Sequence, residues 1–334
     1  MRAWSVIPGR GLHLGEKPWP HPAADEVVVE VLACGVCRTD LHVVDGDLPL
    51  HLAGVTPGHQ VVGRVVELGA EVRTLRLDQL VGIAWLRRTC GVCTFCRGGR
   101  ENLCEASEYT GWDADGGYAE YAAVPEAYAY ALPDATDPVA TAPLLCAGII
   151  GYRALTRAAL PPGGVLGLYG FGSSASLTAQ LAMANGATVY AITRGAANQR
   201  LAHELGVAFV GDERATPPSP LDSAIIFAPA GELVPVALAA TRRGGTVVSA
   251  GIHMSPIPAM EYDRLLFGER DLRSVTSNTR ADGEAFLRLA AALRLAPAVT
   301  RYTFDQTGRA LDDLRAGRMS GSAVITREVA GSIG

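Results

Sequence analysis

The 334-residue chain predicts an α/β protein in two parts, a strand-rich segment at the start and a doubly wound parallel sheet in the middle. Three observations carry this. β-Branched runs bounded by Gly, Pro and Asp fill the first third; apolar runs alternate with Ala/Leu-rich helical stretches from about residue 150; and a glycine turn joins the first of those runs to its helix. With 49% hydrophobic residues the chain has enough apolar surface for two cores, and its length fits two domains better than one.

In order along the chain, residues 27–33 (VVVEVLA) and 61–68 (VVGRVVEL) read as strands, and several such short strands imply a barrel or sandwich. Then 165–170, 188–193, 223–229 and 245–251 read as strands of a parallel sheet. Between them, 174–185, 197–205 and 231–242 carry apolar residues at helical spacing and end near Gly or Asn. PPSP at 217–220 reads as a loop between a helix and a strand. After the helical stretch 280–295, strand-like AVTRYTF, helical LDDLRAG and strand-like SAVIT form a tail expected to pack back on the first domain.

A net charge of −5 and the lack of a basic stripe with interleaved aromatics argue against nucleic acid as a partner. The start, MRAWSVIPGRG, has no apolar core behind a basic end, and no apolar run approaches a membrane span, so a cytoplasmic protein without a membrane partner is expected. Reduced cysteines fit that compartment.

Cys90, Cys93, Cys96 and Cys104 form a C-x2-C-x2-C-x7-C cluster on a loop with Gly91, Gly98 and Gly99. Four soft sulfur ligands at this spacing suit one tetrahedral ion in a closed structural zinc site. Two disulfides are the alternative, which the missing secretory signal and the chain length disfavour. Cys34 stands apart as a small buried hydrophobe.

GFGSSA at 170–175 follows an apolar strand and opens a helix, the setting of a dinucleotide fingerprint. Gly170 permits the tight turn, Gly172 lets the backbone approach a pyrophosphate, and Ala175 allows close helix packing. Free amides at the helix start, at Ser173 and Ser174, suit phosphate oxygens. The next strand ends in Thr193-Arg194, where an NAD site would place an acidic residue, and no Asp or Glu occurs between Val165 and Ala202. Arg194, with Arg200 nearby in sequence, would pair with a 2'-phosphate, which predicts NADP(H) over NAD(H).

Cys37 in CGVCRTDLH, His59 in TPGHQVVG and Cys146 in APLLCAG are far apart in sequence. Two thiolates and an imidazole suit a catalytic zinc with an open fourth position. Spacing alone does not establish that they converge, since each has an ordinary structural reading as a buried thiol or a capped turn.

Taken together, CGVCRTDLH, PGHQ, the four-cysteine lobe, GIAWL, APLLCAG and GFG occur in an order that resembles the zinc-dependent alcohol dehydrogenases of the medium-chain dehydrogenase/reductase superfamily, over almost the whole chain. The resemblance implies a GroES-like β-rich catalytic domain at 1–147 and 277–334 and a Rossmann domain at 148–276. It implies two Zn2+ per chain, a catalytic one on Cys37, His59 and Cys146 and a structural one on the four-cysteine lobe. Thr39 then matches a hydroxyl that bonds a zinc-held alkoxide, and His42 the outer end of a proton relay, an imidazole able to release a proton to water. Asp40 matches a carboxylate orienting His59, Arg38 a pyrophosphate contact, and Trp85 an aromatic wall of the substrate pocket.

Gln60 departs from the family, which has Glu after this histidine; the shape is kept and the charge lost. Ser322 lies where some relatives carry an arginine near the cofactor phosphates. The implied activity is reversible hydride transfer between NAD(P)(H) and a small alcohol/aldehyde or ketone pair, in a homo-oligomer, dimer or tetramer. A polyol or cinnamyl-type dehydrogenase is the alternative within the superfamily, and a cofactor-binding redox sensor without turnover the alternative outside enzymes.

Overall fold

The computed structural model describes residues 1–213 and 215–327. In chain order its strands are β1 (Arg2–Ile7), β2 (Gly11–Glu16), β3 (Glu26–Val36), β4 (Gln60–Leu68), β5 (Leu80–Ile83), β6 (Leu86–Arg88), β7 (Glu108–Tyr109), β8 (Tyr121–Pro125) and β9 (Ala129–Ala131). There follow β10 (Val165–Tyr169), β11 (Thr188–Ile192), β12 (Phe209–Gly211), β13 (Leu221–Ile226), β14 (Thr241–Ser249), β15 (Asp271–Ser274), β16 (Val299–Thr303) and β17 (Ser322–Thr326). Two units divide them. Among the described residues, one comprises Met1–Cys146, Thr279–Glu284 and 299–327; the other comprises Ala147–Asn278 and Ala285–Ala298.

The first unit is built on a seven-stranded sheet of order β16-β17-β3-β4-β5-β9, with β8 also paired to β3. β3 is the organiser, bonded antiparallel to β4, β8 and β17. Its consecutive valines Val27, Val28 and Val29 are all buried, so the strand shows no polar/apolar alternation and reads as a continuous apolar run. The tail does return: β17 joins β3 with Ala323 opposite Val36 and Ile325 opposite Cys34. Cys34 lies buried in the resulting core with Val61, Val65 and Tyr118. An N-terminal hairpin, β1-β2, was not expected from the sequence; its second strand is largely exposed and carries no apolar pattern to betray it.

The second unit is a six-stranded sheet of order β12-β11-β10-β13-β14-β15, in which every neighbouring pair is parallel. Strand order reverses on either side of β10, the topological switch point at which doubly wound sheets bind ligands. The faces bury separate cores. Leu166 and Leu168 of β10 pack with Ala175, Ala179 and Leu201 of the flanking helices, whereas Tyr169 packs with Val234 and Leu238 of the helix Leu233–Ala240. Each fully buried Leu contributes roughly 1.5–3 kcal/mol.

Two local expectations need correction. PPSP at 217–220 follows a short strand, β12, rather than a helix. The helix expected over 231–242 spans only Leu233–Ala240, because β14 begins at Thr241, pairing with Leu221 of β13. The helix Ala147–Ala158 went unforeseen, its pattern blurred by Gly148 and Gly151. No single helix among the described residues is long and apolar enough to cross a membrane.

Candidate active site and metal centres

Strand pairing brings Cys37 and His59 together. β3 and β4 run antiparallel with Gly35 opposite Gln60, so the residue just past the end of β3 and the residue just before β4 become neighbours. Cys37 caps the helix Arg38–Asp45, its sulfur accepting from the Thr39 amide while the Asp40 carboxylate accepts from the Cys37 amide. Cys146 arrives on the end of the short helix Ala142–Leu145, whose Leu145 fits over Gly82 of β5, next to β4. His59 Nε2 then lies 3.3 Å from the Sγ of both Cys37 and Cys146.

Sulfur at about 2.3 Å and nitrogen at about 2.0–2.1 Å from a tetrahedral ion stand roughly 3.5–3.6 Å apart, so this triangle fits zinc after small adjustments. All its ligand atoms lie within 4.8 Å of one another. The other imidazole nitrogen, Nδ1, donates to Asp40 Oδ1 at 3.1 Å, which directs Nε2 at the two sulfurs. Burial opposes a charged imidazole, but the Cys37 thiolate and the Asp40 carboxylate outweigh it and raise His59 to about 10. The hydrogen bond from Cys146 holds Cys37 well below the usual thiol range, and the same bond, with burial, pushes Cys146 up.

The four-cysteine lobe forms a second cluster, its sulfurs also mutually within 4.8 Å and Cys90 Sγ 3.9 Å from Cys96 Sγ. Backbone amides serve as donors to the sulfurs: Cys93 N to Cys90 Sγ, Cys96 N to Cys93 Sγ and Cys90 N to Cys104 Sγ, each at 3.4 Å. The amides of Val92 and Cys93, with Cys104, lower Cys90 to about 6, so the loop favours the ligating form. All seven cysteines are free of disulfides.

Thr39 and His42 stand three residues apart on one helix and share a face. His42 Nδ1 bonds Asp47 Oδ2 at 2.8 Å, and Arg38 is exposed at the helix start. In the second unit, Gly170 has φ +86°, and a Cβ there would sit 2.8 Å from the Ala228 amide. Gly172 caps the helix Ser173–Ala184 with nothing within 4 Å of where its Cβ would be, leaving the backbone at Ser173 and Ser174 approachable. Ala175 is buried in the core. Thr193 accepts from the Phe171 amide at 3.2 Å and so ties the end of β11 to the glycine turn, while Arg194 is exposed.

Comparison with known proteins agrees with this geometry. Residues 23–134 match the alcohol dehydrogenase GroES-like domain and residues 175–292 the zinc-binding dehydrogenase family. The probable alcohol dehydrogenase AdhA of Mycobacterium tuberculosis is 56% identical over 311 residues, covering 92% of this chain and 90% of that protein. The chain belongs to the zinc-dependent alcohol dehydrogenases of the medium-chain dehydrogenase/reductase superfamily. Among solved structures, the thermostable alcohol dehydrogenase from Pyrobaculum aerophilum superposes with a TM-score of 0.90 at 28% identity, covering 98% of this chain and 99% of that one. A cinnamyl alcohol dehydrogenase from Sorghum bicolor gives 0.89 at 25%, covering 97% of each.

In this alcohol dehydrogenase three features lay beyond sequence reasoning. Tyr118, fully buried, donates to Asp40 Oδ2 at 2.9 Å; burial and then the Asp40 charge hold its phenol well above the usual range, so it remains a donor. Only its place in DGGYAEY signals it. Trp85, 9% exposed, meets His59 edge-on at 4.9 Å and stacks on Tyr109 at 4.9 Å and Trp112 at 6.0 Å, so it belongs to a cluster with two further rings. Glu232, held below the usual carboxylate range by its own amide and the Ser255 hydroxyl, also feels the charge of Arg194; it lies beyond the acid-free stretch between Val165 and Ala202.

Gln60 is buried, and its Nε2 has no hydrogen-bond partner among the described residues. Gly35 leaves it room, since a Cβ there would lie 2.6 Å from Gln60 Oε1. Ser322 is buried in β17.

Proposed function

We propose that this alcohol dehydrogenase carries two Zn2+ per chain, uses NADP(H) in preference to NAD(H), and interconverts small alcohols and carbonyl compounds. Cys37, His59 and Cys146 would hold the catalytic ion, and Cys90, Cys93, Cys96 and Cys104 the structural one. The observation that carries the reading is the three-atom triangle around His59 Nε2, with the opposite nitrogen committed to Asp40.

When bound, zinc supplies Lewis acidity at its open position, and the nicotinamide supplies or accepts hydride. The protein's own part is proton handling and orientation. The Thr39 hydroxyl would accept the proton that the alcohol must lose while donating its own outward, and His42, at the outer end of that relay, would pass a proton to water. Asp40 keeps His59 in the ligating tautomer. Gln60 adds no charge behind the ligands, where a carboxylate would weaken the ion's pull on substrate oxygen. Trp85 limits the width of the substrate next to His59.

Residues 1–147 and 277–334 would form the catalytic domain, of which 328–334 lie outside the described residues, and residues 148–276 the dinucleotide domain. There the amides at Ser173 and Ser174 would face the pyrophosphate. The exposed Arg194 and the uncharged Thr193 favour a 2'-phosphate, against the competing charge of Glu232.

Aldehyde-dependent oxidation of NADPH and NADH, assayed before and after chelation and alongside zinc content, tests the reading. Two zinc ions per chain, a faster reaction with NADPH and loss of activity with the metal are expected. Chelator-insensitive turnover, or a clear NADH preference, would overturn the corresponding part. A panel including cinnamyl alcohols and polyols decides between the substrate classes.

A further inference from the structure

Asp40 is 1% exposed, and four donors converge on its carboxylate. Oδ1 accepts from His59 Nδ1 at 3.1 Å and the Gly58 amide at 3.2 Å; Oδ2 accepts from the Cys37 amide at 2.9 Å and the Tyr118 hydroxyl at 2.9 Å. Three of these donors belong to the ligand residues or to Gly58 beside His59. Tyr118 comes from a separate strip of chain, which backbone bonds fasten to the residues before His59. Gly116 N reaches Thr56 O at 2.7 Å, Gly117 N reaches Gly58 O at 2.6 Å, and Tyr118 N reaches Pro57 O at 2.9 Å. The ring packs against Gly58, where a Cβ would stand 2.5 Å from Tyr118 Cδ1.

The hydroxyl is therefore a fixed donor on the carboxylate oxygen opposite the one His59 uses. It resists rotation of the Asp40 side chain, which would carry Oδ1 away from His59. Phenylalanine would fill the same space and leave Oδ2 with the Cys37 amide alone.

We propose that Tyr118 is a positioning residue of the metal centre, holding Asp40 so that His59 presents Nε2 to the ion. The proposal rests on the reading that Cys37, His59 and Cys146 bind zinc. Tyr118 itself is fully buried, and its assigned role runs entirely through Asp40.

The test is zinc release from the purified holoenzyme into excess chromophoric chelator, for wild type and Tyr118→Phe, with the four-cysteine zinc as internal control. Loss of a partner behind a metal ligand costs about tenfold or more in metal retention. Release from the three-ligand site is expected to be about tenfold faster in the variant, while release from the cysteine lobe and the circular dichroism spectrum stay unchanged. Equal release from the three-ligand site in both proteins would overturn the proposal, as would a variant that loses both metals together, since that marks a general structural role. In an Asp40→Asn background, where the hydroxyl loses its anionic partner, Tyr118→Phe should add less than threefold; an undiminished tenfold effect there would also overturn it. Wild-type enzyme holding zinc in the cysteine lobe alone would overturn the metal-centre reading itself, and that result appears before any substitution is made.

Discussion

His59 donates from Nδ1 to Asp40 Oδ1 at 3.1 Å, and this one bond decides which imidazole nitrogen faces the sulfurs of Cys37 and Cys146. Asp40 reaches that position because it is the third residue of the helix that Cys37 caps, so a capping box and a metal centre share the same side chain. Replacing Asp40 by Asn presents His59 with a weaker partner and removes the negative charge behind it. Zinc affinity at this site should fall by about 10–100-fold, measured by chelator competition, with the cysteine lobe still loaded.

The metal-free centre holds protons that zinc must displace. His59, raised to about 10, is held toward the imidazolium, the hydrogen bond with Cys37 and burial hold Cys146 toward the thiol, and Cys37 is shifted toward the thiolate. Ligation needs a neutral ring and two thiolates, so loading this site near pH 7.5 should release about two protons. Protons compete with zinc below about 10, so apparent affinity rises with pH up to that point. Calorimetric titration of metal-depleted enzyme in buffers of different ionisation enthalpy counts the protons, and an affinity independent of pH between 6 and about 9 would contradict the assignment.

Thr39 and His42 are assigned to proton movement, not metal holding. Thr39→Val should lower kcat/KM for alcohol oxidation by about 10²–10⁴-fold at unchanged zinc content, while Thr39→Ser keeps most of the rate. His42→Ala should be slowed and partly rescued by added imidazole. Loss of zinc in either variant would place these residues in the metal scaffold instead.

The proposed cofactor preference makes Arg194 and Glu232 the residues to test. Arg194→Ala should weaken NADPH use by about tenfold and leave NADH nearly unchanged, because only the 2'-phosphate makes a charge-assisted bond there. Glu232→Gln should move preference further toward NADPH by removing a competing anion. Steady-state kcat/KM for both cofactors checks each change.

Features built from neighbouring residues were legible in the sequence. The glycine turn at Gly170 and the cysteine lobe at Cys90–Cys104 depend on local spacing, and both stand where the pattern put them. Convergence of Cys37, His59 and Cys146 depends instead on the register of β3 against β4 and on Leu145 fitting over Gly82, which no local pattern encodes; family resemblance supplied it. Tyr118 escaped notice because its role needs residues 116–118 laid along residues 56–58, a pairing between short loop segments with no apolar periodicity. Glu232 escaped because it follows β13, on the far side of β10 from β11 and Arg194.

Anomalous diffraction at the zinc edge from crystals of the purified enzyme tests the central assignment most directly. Two peaks per chain are expected, one within about 2.3 Å of the sulfurs of Cys37 and Cys146 and at roughly 2.0–2.1 Å from His59 Nε2, the other inside the four-cysteine lobe. A fully active enzyme showing the lobe peak alone would contradict the account.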